Sequence, residues 1–228
     1  MRLFRIFLAP SAVLLAMMCP PGAFANTLLP GGSCSSPCVV DNLTGNAVFA
    51  GGTFLATTGV TLSTPPGSGN TMSYTAEVYQ EVGGTLDFLY QATPIDGDLG
   101  QLTAKLFGAS LGSIDMGYAT TAATFVNAGV GNGFVDGSVA PVADAWPSST
   151  PDFSFTGAGV PVGTTSDIVV IRTDATTYST GTVLFQDGGQ SSGTAWQPAP
   201  EPAEAGVLLG GLFAAGLFVA RKFRVQRS

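Results

Sequence analysis

The side chains that carry chemistry in this 228-residue chain are carboxylates, three cysteines and two tryptophans; histidine is absent. Without an imidazole there is no Ser-His-Asp or Cys-His catalysis and no His-ligated zinc site. Glycoside hydrolysis needs two carboxyl groups roughly 5–9.5 Å apart. Glu77 and Glu81 fall on one face of a strand. Four residues at about 3.3 Å each, however, separate their backbones by about 13 Å, which makes them a poor pair unless another strand supplies an acid. Asp96-Gly97-Asp98 offers oxygen ligands for calcium but lacks the longer ligand run of an EF-hand, so it reads as a loop. No catalytic residue and no metal ligand set is expected, and no cofactor is implied.

Two further groups have ordinary explanations. Trp146 stands before Pro147, and Trp196 stands just ahead of Pro198. Their faces suit sugar stacking, but half-buried packing at the domain edge is the expectation for both. Asn42-Leu43-Thr44 has the form of a glycosylation sequon.

The elements that must hold these groups read as all-β. Apolar residues make up 45% of the chain and charged residues only 10%, against roughly 25% charged in average domains. Thr, Val, Phe and Tyr recur in short runs separated by Gly, Pro, Asn and Asp. The pattern predicts strands near 47–57, 72–82, 85–93, 102–107, 115–120, 124–127, 134–135, 138–142, 152–156, 167–173 and 182–186. Many short strands with frequent turns predict an antiparallel β-sandwich, jelly-roll-like in type. Gly83-Gly84 suits a two-residue primed turn, which would set Tyr79 opposite Phe88 and Glu77 opposite Tyr90. Asp136-Gly137 predicts a second hairpin, and Asp187-Gly188-Gly189 a third turn.

Both ends differ from this middle. Arg2 and Arg5, the apolar run 6–18 and the small residues Ala23 and Ala25 around Phe24 make residues 1–25 a cleavable signal peptide, with Asn26 as the mature N-terminus. Export then predicts a disulfide between Cys34 and Cys38. Residues 26–196 form the ectodomain and 197–228 a tail. The region 26–199 holds 13 acids against Lys105 and Arg172, a net charge of −11. A field of that sign repels nucleic acid and favours solubility. In the tail, Pro198, Pro200 and Pro202 favour extended chain. Residues 205–220 carry no charge; as a helix they extend about 24 Å, near the roughly 30 Å of a hydrocarbon core. Arg221, Lys222, Arg224 and Arg227 then stop translocation on the cytoplasmic side. This predicts one C-terminal transmembrane helix in the inner membrane.

Pro200-Glu201-Pro202, an apolar segment and a basic end, in that order at the C-terminus, resemble the PEP-CTERM sorting signal of Gram-negative bacteria that make exopolysaccharide. Ala203-Glu204 follows where Ser-Thr or Ala-Thr is more usual. The resemblance implies that an exosortase, a membrane-embedded cysteine transpeptidase-like enzyme, processes the tail and that this chain is its substrate. Segments 73–79, 84–91, 167–175 and 181–188 are similar to β-rich ectodomains found in front of such tails, and they supply no catalytic residue. The expectation is an exported structural or adhesive protein, transiently membrane-anchored and then placed at the cell surface or in the biofilm matrix. The alternatives are a glycan-binding module, with exopolysaccharide as partner, and a polysaccharide hydrolase.

Overall fold

The structure, a computed structural model, describes residues 26–28, 32–34, 40–46, 49–65, 70–105, 111, 113–128, 133–147, 150–155 and 157–199. Residues 1–25, read above as a signal peptide, and residues 200–228 of the expected sorting tail lie outside them. The described strands are β1 (Asn26–Leu28), β2 (Gly32–Cys34), β3 (Asp41–Asn42), β4 (Thr53–Thr57), β5 (Thr61–Leu62), β6 (Thr71–Gln80) and β7 (Leu86–Asp96). They continue with β8 (Gln101–Lys105), β9 (Ile114–Ala119), β10 (Ala143–Trp146), β11 (Asp152–Ser154), β12 (Ile168–Arg172), β13 (Tyr178–Asp187) and β14 (Gly189–Pro198). One sheet has the order β1-β9-β12-β7-β6-β4, with β3 added on β9 and β5 on β6; the other runs β14-β13-β8-β11-β10-β2. Every pairing is antiparallel except β3 on β9.

The sheets share one core. Met72, Tyr74, Ala76 and Val78 alternate along β6, and Leu86, Phe88, Tyr90 and Ala92 along β7; they meet Leu102, Phe153, Val183 and Phe185 of the second sheet. The first sheet is also covered on its outer face. Tyr79, Leu89, Ile168 and Val170 pack there under Leu43, Phe49, Phe125 and Phe134. Burial on both faces accounts for the unbroken apolar run 168–171, where a half-buried strand would alternate.

The β6–β7 hairpin forms, in a register one residue away from the two-residue expectation. Val78 faces Phe88, Tyr79 faces Asp87, and Glu77 faces Leu89. The loop has three residues: Gly84 N–H donates to the Glu81 carbonyl, Glu81 N–H donates to the Thr85 carbonyl, and only Gly84 of the glycine pair has positive φ, at 91°. A turn followed by one left-handed residue is the three-residue hairpin geometry. The shift puts Phe88 on the inner face and Tyr79 and Glu77 on the outer one, because a one-residue slip exchanges the faces of one strand relative to the other.

The predicted strand 124–127 is a 3₁₀ helix, Ala122–Ala128. Thr121 Oγ1 accepts from Ala123 N–H, and Asp136 Oδ1 accepts from Ala122 N–H, so the first turn is capped. Residues 134–142 do not form the expected hairpin at Asp136-Gly137. Gly137 N–H donates to the Thr120 carbonyl, Ser138 N–H donates to the Thr165 carbonyl, and Val139 bridges Ser166 in parallel. This segment crosses close against residues 165–167, where a Cβ at Gly137 would overlap Ser166 and Asp167. The turn at Asp187-Gly188-Gly189 forms as expected, joining β13 to β14 with Gly188 at φ 63°. Trp146 is fully buried in the shared core, not half-buried at an edge. Trp196 is partly buried and meets Tyr178 edge to face at 5.6 Å.

Candidate functional site

Among the described residues, a group of charges sits where β6, β7, β9 and β12 reach one end of the first sheet. Arg172 closes β12 directly across from Asp87 of β7 on one side and from Asp115 of β9 on the other. Its Nε donates to Glu81 Oε1 at 2.9 Å and its Nη2 lies 2.7 Å from the same oxygen. Its Nη1 lies 3.5 Å from Asp115 Oδ2. One cation therefore faces three acids. Asp87 has no exposed surface, and neither of its oxygens has a hydrogen-bond partner. Burial, reinforced by the Glu81 carboxylate, raises its pKa well above the ordinary aspartate value, while Arg172 opposes that shift.

Beside the cluster opens a pocket of about 220 Å³, lined by Thr85, Ser113, Asp115, Arg172, Thr173 and Asp174. Arg172 and Asp115 reach it, whereas Asp87 does not line it. Asp87 is thus sealed from anything entering the pocket. The pocket lining combines three hydroxyls, two carboxylates and one guanidinium.

Other buried acids stand apart. Glu77 Oε1 accepts from Thr57 Oγ1 at 2.9 Å, its Oε2 is unpartnered, and burial raises its pKa to about 8. Asp167 is raised by burial to about 6. A smaller cleft of about 160 Å³ over the outer face is lined in part by Ser73, Thr75, Gln91, Thr93 and Thr165. Some of its polar groups are engaged: the Gln91 amide spans the Val135 backbone and the Ser166 carbonyl, and the Thr93 and Thr165 hydroxyls are 2.8 Å apart.

Glu77 and Glu81 share the outer face but have different partners, Thr57 and Arg172. Asp96-Gly97-Asp98 is a turn with Gly97 at φ 74°; Asp98 Oδ1 accepts from Val162 N–H and its carbonyl accepts from Asn70 Nδ2. Among the described residues no three His, Cys, Asp or Glu side chains gather as a metal site. Asn42 Oδ1 accepts from Thr44 N–H, a local turn within the sequon. Cys34 lies on β2 opposite Asp144, while Cys38 and the disulfide lie outside the described residues. So do Ala23, Ala25, Pro200, Glu201, Pro202, Arg221, Lys222, Arg224 and Arg227. Among the described residues no helix is long and apolar enough to cross a membrane. The chain matches no family model, no curated protein and no solved structure.

Asp87 and Asp115 were not among the residues singled out by sequence. A signal for them exists: Arg172 is a lone cation ending a buried apolar strand in a strongly acidic domain, which demands acid partners on both neighbouring strands.

Proposed function

We propose that this is an exported envelope protein of a Gram-negative bacterium, a jelly-roll-like sandwich with a structural or adhesive role in the exopolysaccharide matrix. Residues 1–25 are its cleaved signal peptide, 26–196 its ectodomain and 197–228 its sorting tail. The tail places one apolar helix in the inner membrane until an exosortase acts at Pro200-Glu201-Pro202; nucleic acid is no partner. The observation that carries the reading is the order of three parts at the C-terminus: a proline hook, a charge-free stretch over 205–220, and the cluster Arg221, Lys222, Arg224 and Arg227. The sealed position of Asp87 and the separate partners of Glu77 and Glu81 support a non-catalytic role.

The hydroxyl-lined cleft near Thr75 favours a second reading, a glycan-binding module. Titration of the ectodomain with purified matrix polysaccharide separates the two, since chemical-shift changes confined to that cleft identify the binding module.

The test of the main reading is the intact mass of the protein recovered from outside cells with and without their exosortase. The reading expects loss of the tail in the first and a longer, membrane-bound form in the second. Extracellular protein still carrying Arg221 overturns it.

A further inference from the structure

Among the described residues, the last backbone hydrogen bond that ties the chain to the fold is Ala199 N–H to the Thr177 carbonyl, at 3.0 Å. Pro200, the first residue of the motif, follows immediately, one peptide away at about 3.8 Å between Cα atoms. The final strand offers no slack. β14 pairs with β13 over its whole length, from Gly189 opposite Asp187 to Pro198 opposite Tyr178. Its other edge is also occupied. The Ser192 carbonyl accepts from Thr64 N–H, the Thr194 carbonyl from the Tyr74 hydroxyl and the Trp196 carbonyl from the Tyr90 hydroxyl. Peeling back even the last turn's worth of strand breaks bonds on both sides and exposes Ala195, which is fully buried.

The surface at this exit is well defined. The loop 173–177 leads from β12 in one sheet to β13 in the other, and the β6–β7 turn lies against it. Leu86 N–H donates to the Ala175 carbonyl, and Thr173 Oγ1 donates to the Leu86 carbonyl at 2.7 Å. Val82, 76% exposed, and Asp174 stand out from this end face. Ile95 and Gly188 mark the opposite end, near which Asn70 Nδ2 bonds the Asp98 and Asp187 carbonyls.

We infer that this end face, carrying Val82 and Asp174, docks against the membrane-embedded processing enzyme whenever that enzyme holds Pro200-Glu201-Pro202. The inference rests on the sorting reading above. An active site that takes hold of the motif lies one or two residues from the folded domain, about 4–7 Å along an extended chain. Contact with the end face is therefore built into the substrate. From Ala199 to Ala205 the chain spans at most about 20 Å, so the same face is held close to the bilayer as well; the enzyme is the partner because it must grip the motif itself.

The test uses the full-length chain in cells whose exosortase has lost its catalytic cysteine. A photo-crosslinking residue is placed in turn at Val82, Asp174, Ile95 and Gly188. Covalent adducts with the exosortase are expected at Val82 and Asp174, with none above background at Ile95 or Gly188, and their loss when Pro200, Glu201 and Pro202 are all changed to Ala. A flexible Gly/Ser spacer of roughly eight residues between Ala199 and Pro200 adds about 15 Å of separation and should abolish the adducts. Adducts equal at all four positions, adducts to lipid alone, adducts that survive the spacer, or none in cells whose unmutated exosortase still shortens the protein, overturn the docking inference. If instead the released protein has the same mass with and without exosortase, it is the sorting reading that falls, and the inference falls with it.

Discussion

The hydroxyl of Tyr90, on β7 of one sheet, donates to the carbonyl of Trp196, on β14 of the other, at 2.8 Å. Tyr74 makes the equivalent bond to the Thr194 carbonyl at 2.9 Å. Edge strands expose unpaired backbone groups, and proteins have to cover them. Here the cover comes from within: two tyrosines reach across the core to the outer side of the last strand, Thr64 bridges Ser192 above them, and Pro198, which has no N–H, ends the edge. Burial raises the pKa of both hydroxyls, so they stay donors through the physiological range.

Replacing Tyr90 with Phe removes one staple and keeps the ring. The expected loss is about 1 kcal/mol of unfolding free energy. Tyr74→Phe should act similarly, and the double variant should loosen β14 ahead of the rest of the fold. Amide exchange at Gly193, Ala195 and Gln197 should quicken in the double variant while that of Val169 and Val170 does not. Uniform quickening across both sheets would show that the tyrosines act only through global stability.

Gly193 makes room for that crossing. A Cβ there would overlap the Tyr74 ring. Gly193→Ala is expected to destabilise by about 1–3 kcal/mol, the usual range for overpacking. Tyr74→Leu alone should also destabilise, yet the pair Gly193→Ala with Tyr74→Leu should be more stable than the sum of the two single losses predicts. Strict additivity in a denaturant double-mutant cycle would place the clash elsewhere.

Arg172 is the counter-charge for Glu81, Asp87 and Asp115 together. Arg172→Met leaves partly buried carboxylates unpaired, and with the side chain about a fifth exposed the expected loss is about 2 kcal/mol at pH 7, below the figure for fully buried pairs. Lys should recover little of it, since it cannot present Nε and two Nη groups to two acids at once. Because the harm comes from uncompensated negative charge, unfolding midpoints of wild type and Arg172→Met should draw together in acid, where carboxylates lose their charge; a constant gap across pH would assign the loss to packing.

The sequence made the two-sheet β character and the inward alternation of β6 and β7 legible, because bulky residues there recur with period two. It hid β14. That strand turns Ser191, Gly193 and Ala195 inward, small residues whose space Tyr74 and Phe185 fill from elsewhere. Local pattern carries no trace of side chains arriving from distant strands. The hairpin register was missed for a related reason: two adjacent glycines suggest a primed turn, while only Gly84 needs a left-handed backbone, and inner-face packing of Phe88 decides between the registers. The charge cluster was half legible, since Arg172 announced a need for acids but not which strands would flank it.

Glu77 gives the fold an inverted pH response. Burial lifts its pKa from 4.5 to about 8 in the folded chain, and the Thr57 hydroxyl only partly opposes that. Between those values the folded state binds a proton that the unfolded state has released, so unfolding free energy falls as pH rises from about 4.5 to 8 and levels off above. Asp167, raised to about 6, adds the same sign over a narrower window, and Asp87, raised by burial as well, has the same sign. Urea midpoints should therefore be higher at pH 5 than at pH 8.5. Glu77→Gln keeps an acceptor for Thr57 and cannot ionise, so it should flatten most of the slope above pH 6 and leave the protein at least as stable as wild type at pH 8.5. A wild-type midpoint that climbs with pH, or a Gln variant with the full wild-type slope, would show that Glu77 is ionised and solvated in the folded chain.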